Sequence, residues 1–369
     1  MFQPACRPIL IGSLPLADHV AAMRLIARHC AEIPLWPQLP RLPGEGMVRQ
    51  FLDGFPGLRD EHGRTFIESD EAGFAAEMAL FYDDALAVEG DPTSSMPERF
   101  HLSRHTAAGF YVFLEYLAGS PGKSYAVKGQ ITGPVTVGVG ISDQQGRAIL
   151  HDDNLRDMLV RHLAAKAAWQ VRQLLPHARA AVAPIIFVDE PGLVGFGSSG
   201  FAGVSRETAV DTTSILLAAI KEAGGLAGLH ICANGDWGPA LTSPVDIISF
   251  DAYSYFDNFL LFREELCRFL SRGGVLAWGI VPTGNPQAVA EESAETLFQR
   301  WREQLDRLAS FGFARERLAA QTLIAPSCGT GSLSAPLAEK VLTMTAAVSR
   351  LARERFFPPT PTPNGDTPQ

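Results

Sequence analysis

The 369-residue chain has little cysteine, and what it has does not form a framework: Cys6, Cys30, Cys232, Cys267 and Cys328 are odd in number and scattered. A disulfide scaffold is excluded, and a reducing, cytoplasmic setting is expected. No block of Lys and Arg interrupts the sequence, and the net charge is −9. Nucleic acid and anionic membrane are therefore poor partners. No apolar run reaches the ~18 residues that suggest a membrane span. The start, Met1-Phe2-Gln3-Pro4, has neither the basic nor the apolar region of a signal peptide. Also missing is a Gly-x-Gly-x-x-Gly turn after the first apolar run, where Gly12-Ser13-Leu14-Pro15 stands instead. That weakens an open, doubly wound, dinucleotide-binding sheet.

What is present is a globular balance, with 46% hydrophobic and 19% charged residues. Short apolar runs recur, each closed by polar, Gly or Pro residues: Pro8 to Ser13, Glu32 to Pro37, Ser124 to Gln130, Ala183 to Glu190, Leu226 to Asn234, Asp246 to Tyr253, Gly274 to Pro282 and Thr322 to Cys328. We read them as strands. Stretches of helical period separate the later ones. Asn154 to Leu175 sets Leu159, His162, Leu163, Ala167 and Val171 near one face, and Glu207 to Ala223 and Val289 to Leu308 behave alike. Eight strands alternating with helices predict an α/β fold, a closed (β/α)8 TIM barrel forming a single domain over residues 1–356. The surplus length lies in Gln38 to Lys123, expected as a helical insertion after the second strand, over the barrel mouth. Residues 357–369, opening Phe357-Pro358-Pro359, are Pro-rich and expected to be disordered.

The chemistry-bearing residues fall at strand ends. His230 and Cys232 form an H-x-C pair, and the two-residue period of a strand puts both on one face. Asp251 ends the sixth expected strand and Cys328 the eighth. Barrel enzymes keep their chemistry at the carboxyl ends of their strands. An imidazole, two thiolates and a carboxylate suit Zn²⁺ better than Mg²⁺ or Ca²⁺. Each residue alone has a plain explanation, since a strand Cys is often a small hydrophobe; the coincidence of four points to a metal. Cys6, Cys30 and Cys267 are read as packing residues. The acidic pair Asp189-Glu190, after Ile185-Ile186-Phe187-Val188, is either a site carboxylate or a turn or helix-terminal charge.

On Ile11-Gly12-Ser13-Leu14-Pro15, Thr132-Gly133-Pro134-Val135-Thr136, Val188-Asp189-Glu190-Pro191, His230-Ile231-Cys232 and Cys328-Gly329, the chain resembles the catalytic, C-terminal half of cobalamin-independent methionine synthase. Its superfamily also holds uroporphyrinogen decarboxylase. The resemblance implies a zinc-dependent methyltransferase that methylates a small thiol, homocysteine, to methionine. It implies His230, Cys232, Asp251 and Cys328 as metal ligands, with Asp where the family has Glu. Ser13 would meet the substrate carboxylate, Asp189 and Glu45 its ammonium, and Asp189 and Asp251 would serve catalysis.

The family's full-length members carry a second barrel that helps bind folate, and here only one barrel is expected. Their acidic and histidine residues after the seventh strand, which help protonate the departing folate nitrogen, are absent from Trp278-Gly279-Ile280-Val281-Pro282-Thr283-Gly284-Asn285. The expected donor is therefore a methyl-corrinoid, free or on a partner protein, ahead of methyltetrahydrofolate. Two other readings stay open. One is a decarboxylase-like enzyme with Arg41, Arg49 and Arg64 as a carboxylate clamp. The other is a non-catalytic zinc or amino-acid binding barrel with a closed site.

Overall fold

Parallel strands dominate the computed structural model, which describes residues 2–61, 63–90, 94–179, 182–194 and 205–358. In chain order the strands are β1 (Leu58–Glu61), β2 (Arg64–Ile67), β3 (Lys128–Thr132), β4 (Ser142–Asp143), β5 (Ile185–Asp189), β6 (Leu226–Ile231), β7 (Ile247–Phe250), β8 (Val275–Val281) and β9 (Thr322–Pro326). Strands β3, β5, β6, β7, β8 and β9 form one sheet in that order, parallel throughout. Nearly every residue in them is buried, as expected of a parallel sheet covered on both faces.

The first two expected strands are reduced to bridges between the edges of this sheet. Pro8 pairs with Ile324 of β9, Ser13 with Gln38, and Leu35 with Lys128 of β3. Hydrogen bonds follow the same path: Ile9 N to Ile324 O at 2.9 Å, Gln38 N to Gly12 O at 3.1 Å and Lys128 N to Pro34 O at 2.9 Å. Continuous ladders fail because Pro8, Pro34 and Pro37 have no N–H to donate. Gly12, at φ +152°, adds a break in a backbone conformation that other residues rarely adopt, and a Cβ there would lie 2.7 Å from Gln38 Oε1.

Other boundaries move for identifiable reasons. The third strand runs to Thr132 and begins at Lys128, because its buried polar residues Lys128, Gln130 and Thr132 disguise it as the end of an apolar run. The sixth stops at Phe250, where Asp251 caps the helix Ala252–Phe259. The Val289 to Leu308 period is cut in two, Pro286–Glu291 and Ala294–Ala309, by a capping box at Ser293. The long insertion is not wholly helical. Besides the helices Phe74–Gly90 and Ala108–Ala118 it contains an antiparallel hairpin, β1 and β2, to which β4 adds in parallel. Its strands are short and charged, so no apolar alternation announces them.

The insertion is anchored on the helix Asp153–Leu174. Phe55, Phe81 and Phe100 surround the buried His162, whose Nε2 lies 3.0 Å from Phe51 O. The insertion also reaches the strand ends, where Thr132 Oγ1 donates to Met47 O at 2.7 Å. Of the expected tail, residues 359–369 lie outside the described residues. Among the described residues, no helix is long and apolar enough to cross a membrane.

Candidate metal centre

Strand β6 carries His230 just before its end and Cys232 just beyond it, and Cys328 follows the end of β9. One ligand atom from each lies within 4.8 Å of the others. The loop after β9 can come this close because Gly329 has no side chain: a Cβ there would sit 2.0 Å from Ser13 Oγ.

The imidazole is committed at one nitrogen only. His230 is 2% exposed, its Nδ1 lies 2.9 Å from Ser249 Oγ, and its Nε2 is buried with no hydrogen-bond partner among the described residues. An unsatisfied buried polar atom costs about 1–3 kcal/mol, a cost a bound cation would remove. One nitrogen and two sulfurs are the donor types Zn²⁺ prefers, so the residues present fit the metal. The thiols are also unequal. A hydrogen bond from Cys328 holds Cys232 well below the usual thiol range, and that bond together with burial pushes Cys328 up. One sulfur is therefore readily an anion, the form that ligates.

Asp251 stands outside this group of three. Its Oδ1 accepts the Ser254 amide at 2.8 Å, and burial, with a smaller contribution from the charge on Cys232, raises its carboxyl above the ordinary range.

Asp189 and His230 are in-register neighbours on β5 and β6, so they share a face. Asp189 is buried, and its Oδ1 has no hydrogen-bond partner among the described residues. Burial pushes its carboxyl up to about 6, against the pull of His230 and Lys128. Lys128, missed in the sequence reading, is itself fully buried. Its Nζ donates to Ile11 O at 2.6 Å and Gln130 Oε1 at 3.1 Å and lies 4.6 Å from the Phe187 ring centre.

Glu190 plays the other role that was open for the acidic pair. Its Oε2 accepts the Val135 amide at 2.9 Å, and its Oε1 accepts the Thr136 amide at 2.7 Å and the Thr136 hydroxyl. It thus ties the end of β5 to the first turn of the helix Pro134–Gly140. Burial pushes its carboxyl from 4.5 up to about 7, despite the hydrogen bonds from Thr136 and Val135 that oppose it. The folded protein therefore binds more protons than the unfolded chain between those values. Glu190 contributes stability that is complete below about pH 4.5 and lost as pH rises through about 7. The variant Glu190→Gln should show a shallower fall in urea midpoint between pH 4.5 and 8 than the wild type; an unchanged slope would remove Glu190 as its source.

Ser13 lies beside the cluster, sharing a cleft with Cys328, Gly329 and Thr330. Its Oγ accepts the Gly331 amide at 3.3 Å and its carbonyl the Thr330 amide at 3.0 Å. Glu45 is engaged by the fold at both oxygens, with His19 Nε2 at 2.7 Å and the Leu39 amide at 3.0 Å, and is not among the three converging residues. The three arginines are also engaged, Arg49 with Asp53 and Asp60, Arg41 with Leu333 O and Arg64 with Asp143 O. Beyond β8, the Thr283 and Ser327 hydroxyls lie 3.0 Å apart and Asn285 caps the helix Pro286–Glu291. Cys6 and Cys30 are buried and Cys267 is half-buried on the helix Arg263–Ser271.

No family model and no curated protein sequence matches the chain. Solved structures do. A B12-independent methionine synthase from Shewanella sp. W3-18-1, in complex with selenomethionine, superposes with a TM-score of 0.53 at 14% identity, over 94% of this chain and 98% of that one. A methyltransferase from Methanosarcina mazei superposes with a TM-score of 0.52 at 13% identity, over 93% of this chain and 94% of that one. At such identities the likeness is one of fold, and it extends over nearly the whole chain.

Proposed function

We propose that the protein is a zinc-dependent methyltransferase that converts a small amino-acid thiol, homocysteine, to its S-methyl product, methionine. The observation that carries this reading is the convergence of His230, Cys232 and Cys328, one of which keeps an imidazole nitrogen buried and unpartnered among the described residues. The fold shared with a methionine synthase and a methyltransferase supports it. We further read the bridged segments Pro8 to Ser13 and Leu35 to Gln38 as the first two staves of a closed (β/α)8 barrel forming one domain.

In this reading His230, Cys232 and Cys328 hold the ion. Bound Zn²⁺ would supply the Lewis acidity that keeps a thiol sulfur deprotonated near neutral pH. Asp251 is engaged as a helix cap, so the protein provides three ligands and leaves the fourth position to the substrate. Asp251→Asn should therefore keep its zinc, because Asn caps a helix as well as Asp; metal loss in that variant would restore Asp251 as a ligand. Asp189 Oδ1 accepts the substrate ammonium, and Ser13 lies on the side where the substrate carboxylate would sit. Both fix the sulfur for in-line attack on the methyl group.

The end of β8 supports a reading of the donor. The hydroxyls of Thr283 and Ser327 engage each other, and neither is an acid suited to protonating a departing folate nitrogen. A reduced corrinoid leaves without a proton. We therefore assign a methyl-corrinoid, free or protein-borne, as donor. Purified protein with homocysteine should give methionine from methylcobalamin; turnover with methyltetrahydrofolate and none with methylcobalamin would overturn the assignment.

A further inference from the structure

We infer that Ser249 is the positioning residue that fixes which imidazole nitrogen of His230 faces the metal. The inference rests on the zinc reading above and adds to it a residue from the neighbouring strand.

Ser249 interrupts an apolar strand, Ile247-Ile248-Ser249-Phe250, and is fully buried. No water reaches its hydroxyl, so the group needs a reason to be there. Its register partner across β6 and β7 is His230. Parallel strands in register point such pairs to the same side, and Ser249 Oγ accordingly lies 2.9 Å from His230 Nδ1. The other ring nitrogen, Nε2, is buried with no hydrogen-bond partner among the described residues, and a ring nitrogen of His230 lies within 4.8 Å of the Cys232 and Cys328 sulfurs.

A neutral imidazole carries one N–H, and the nitrogen without it offers the lone pair. If Nδ1–H donates to Ser249, Nε2 is the nitrogen that can ligate. If the proton sat on Nε2, that nitrogen would have no lone pair to give the ion. A serine hydroxyl can accept from or donate to Nδ1, so Ser249 holds Nδ1 and the ring plane in either tautomer; once Nε2 gives its lone pair to an ion, the proton lies on Nδ1 and donates to Ser249 Oγ. Partners of this kind typically contribute 10- to 100-fold to metal affinity. The Cys232 and Cys328 ligands have no equivalent device, because a thiolate has no tautomer to choose. The effect of losing Ser249 should therefore act through His230 alone.

The test uses the full chain. Zinc affinity is measured by competition with a chromophoric chelator for wild type and Ser249→Ala, and the histidine tautomer of the zinc-loaded wild type is read by long-range ¹H–¹⁵N correlation. The expected result is a roughly 10- to 100-fold weaker affinity in Ser249→Ala and a proton on His230 Nδ1 in the wild type. A merely structural role would lower the melting temperature of the metal-free protein without moving the tautomer or the affinity. Equal zinc affinity in the two proteins, or a proton on Nε2 in the loaded wild type, would overturn the inference and leave the zinc reading standing. A wild type that binds no zinc would overturn both.

Discussion

Cys328→Ser should lose its zinc and, with it, more than about 100-fold of the methyl transfer to homocysteine, since even outer partners of a metal site carry 10- to 100-fold. The substitution exchanges a single atom, sulfur for oxygen. Cys328 sits in a loop beyond β9, half-buried, and what shapes that loop is the absence of a side chain at Gly329 against Ser13. Cys232→Ala should behave alike, because the two sulfurs and the imidazole form one donor set. Cys267→Ser is the control. Its thiol lies on the helix Arg263–Ser271 outside the cluster, and both metal content and activity should match the wild type. Full metal retention in either ligand variant would remove that residue from the site.

The second large effect concerns binding rather than metal. Asp189→Asn preserves shape and removes a charge from a buried position whose Oδ1 has no protein partner. If that oxygen takes the substrate ammonium, the loss is that of a hydrogen bond to a charged group, about 1.5–3 kcal/mol, or roughly 10- to 150-fold in kcat/KM for homocysteine. Zinc content should stay unchanged. A thiol acid without an ammonium group should be used no worse by the variant than by the wild type, which separates this role from a general disturbance of the barrel. An equal loss with both thiols would assign Asp189 to the structure of the site instead of to substrate recognition.

The parts of the fold that sequence made legible were those where one physical signal acted alone. The apolar, largely β-branched run Ile185-Ile186-Phe187-Val188 marks β5 to within two residues, and the H-x-C spacing alone places two ligand-type side chains on one face. Signals that compete were harder to read. Asp251 closes an apolar run, which suggests a strand-end ligand, and Ser254 follows at the spacing of an N-cap, so that the Ser254 amide takes Oδ1; the sequence alone does not separate the two roles. Glu45 comes into view only through the family resemblance, and its contact with His19, 26 residues away, cannot be read from the local sequence. Lys128 and Ser249 were invisible as site residues because a polar residue in a strand says nothing until the face it occupies is known. Only the pairing of β5, β6 and β7 turns Asp189, His230 and Ser249 into one row.

X-ray absorption at the zinc edge tests most directly the claim that three protein residues hold the metal and a thiol completes the set. The loaded protein should show one nitrogen and two sulfur neighbours plus a light atom, and homocysteine should add a third sulfur at about 2.3 Å. A spectrum already complete with protein ligands and unchanged by homocysteine would contradict the account and mark the site as closed.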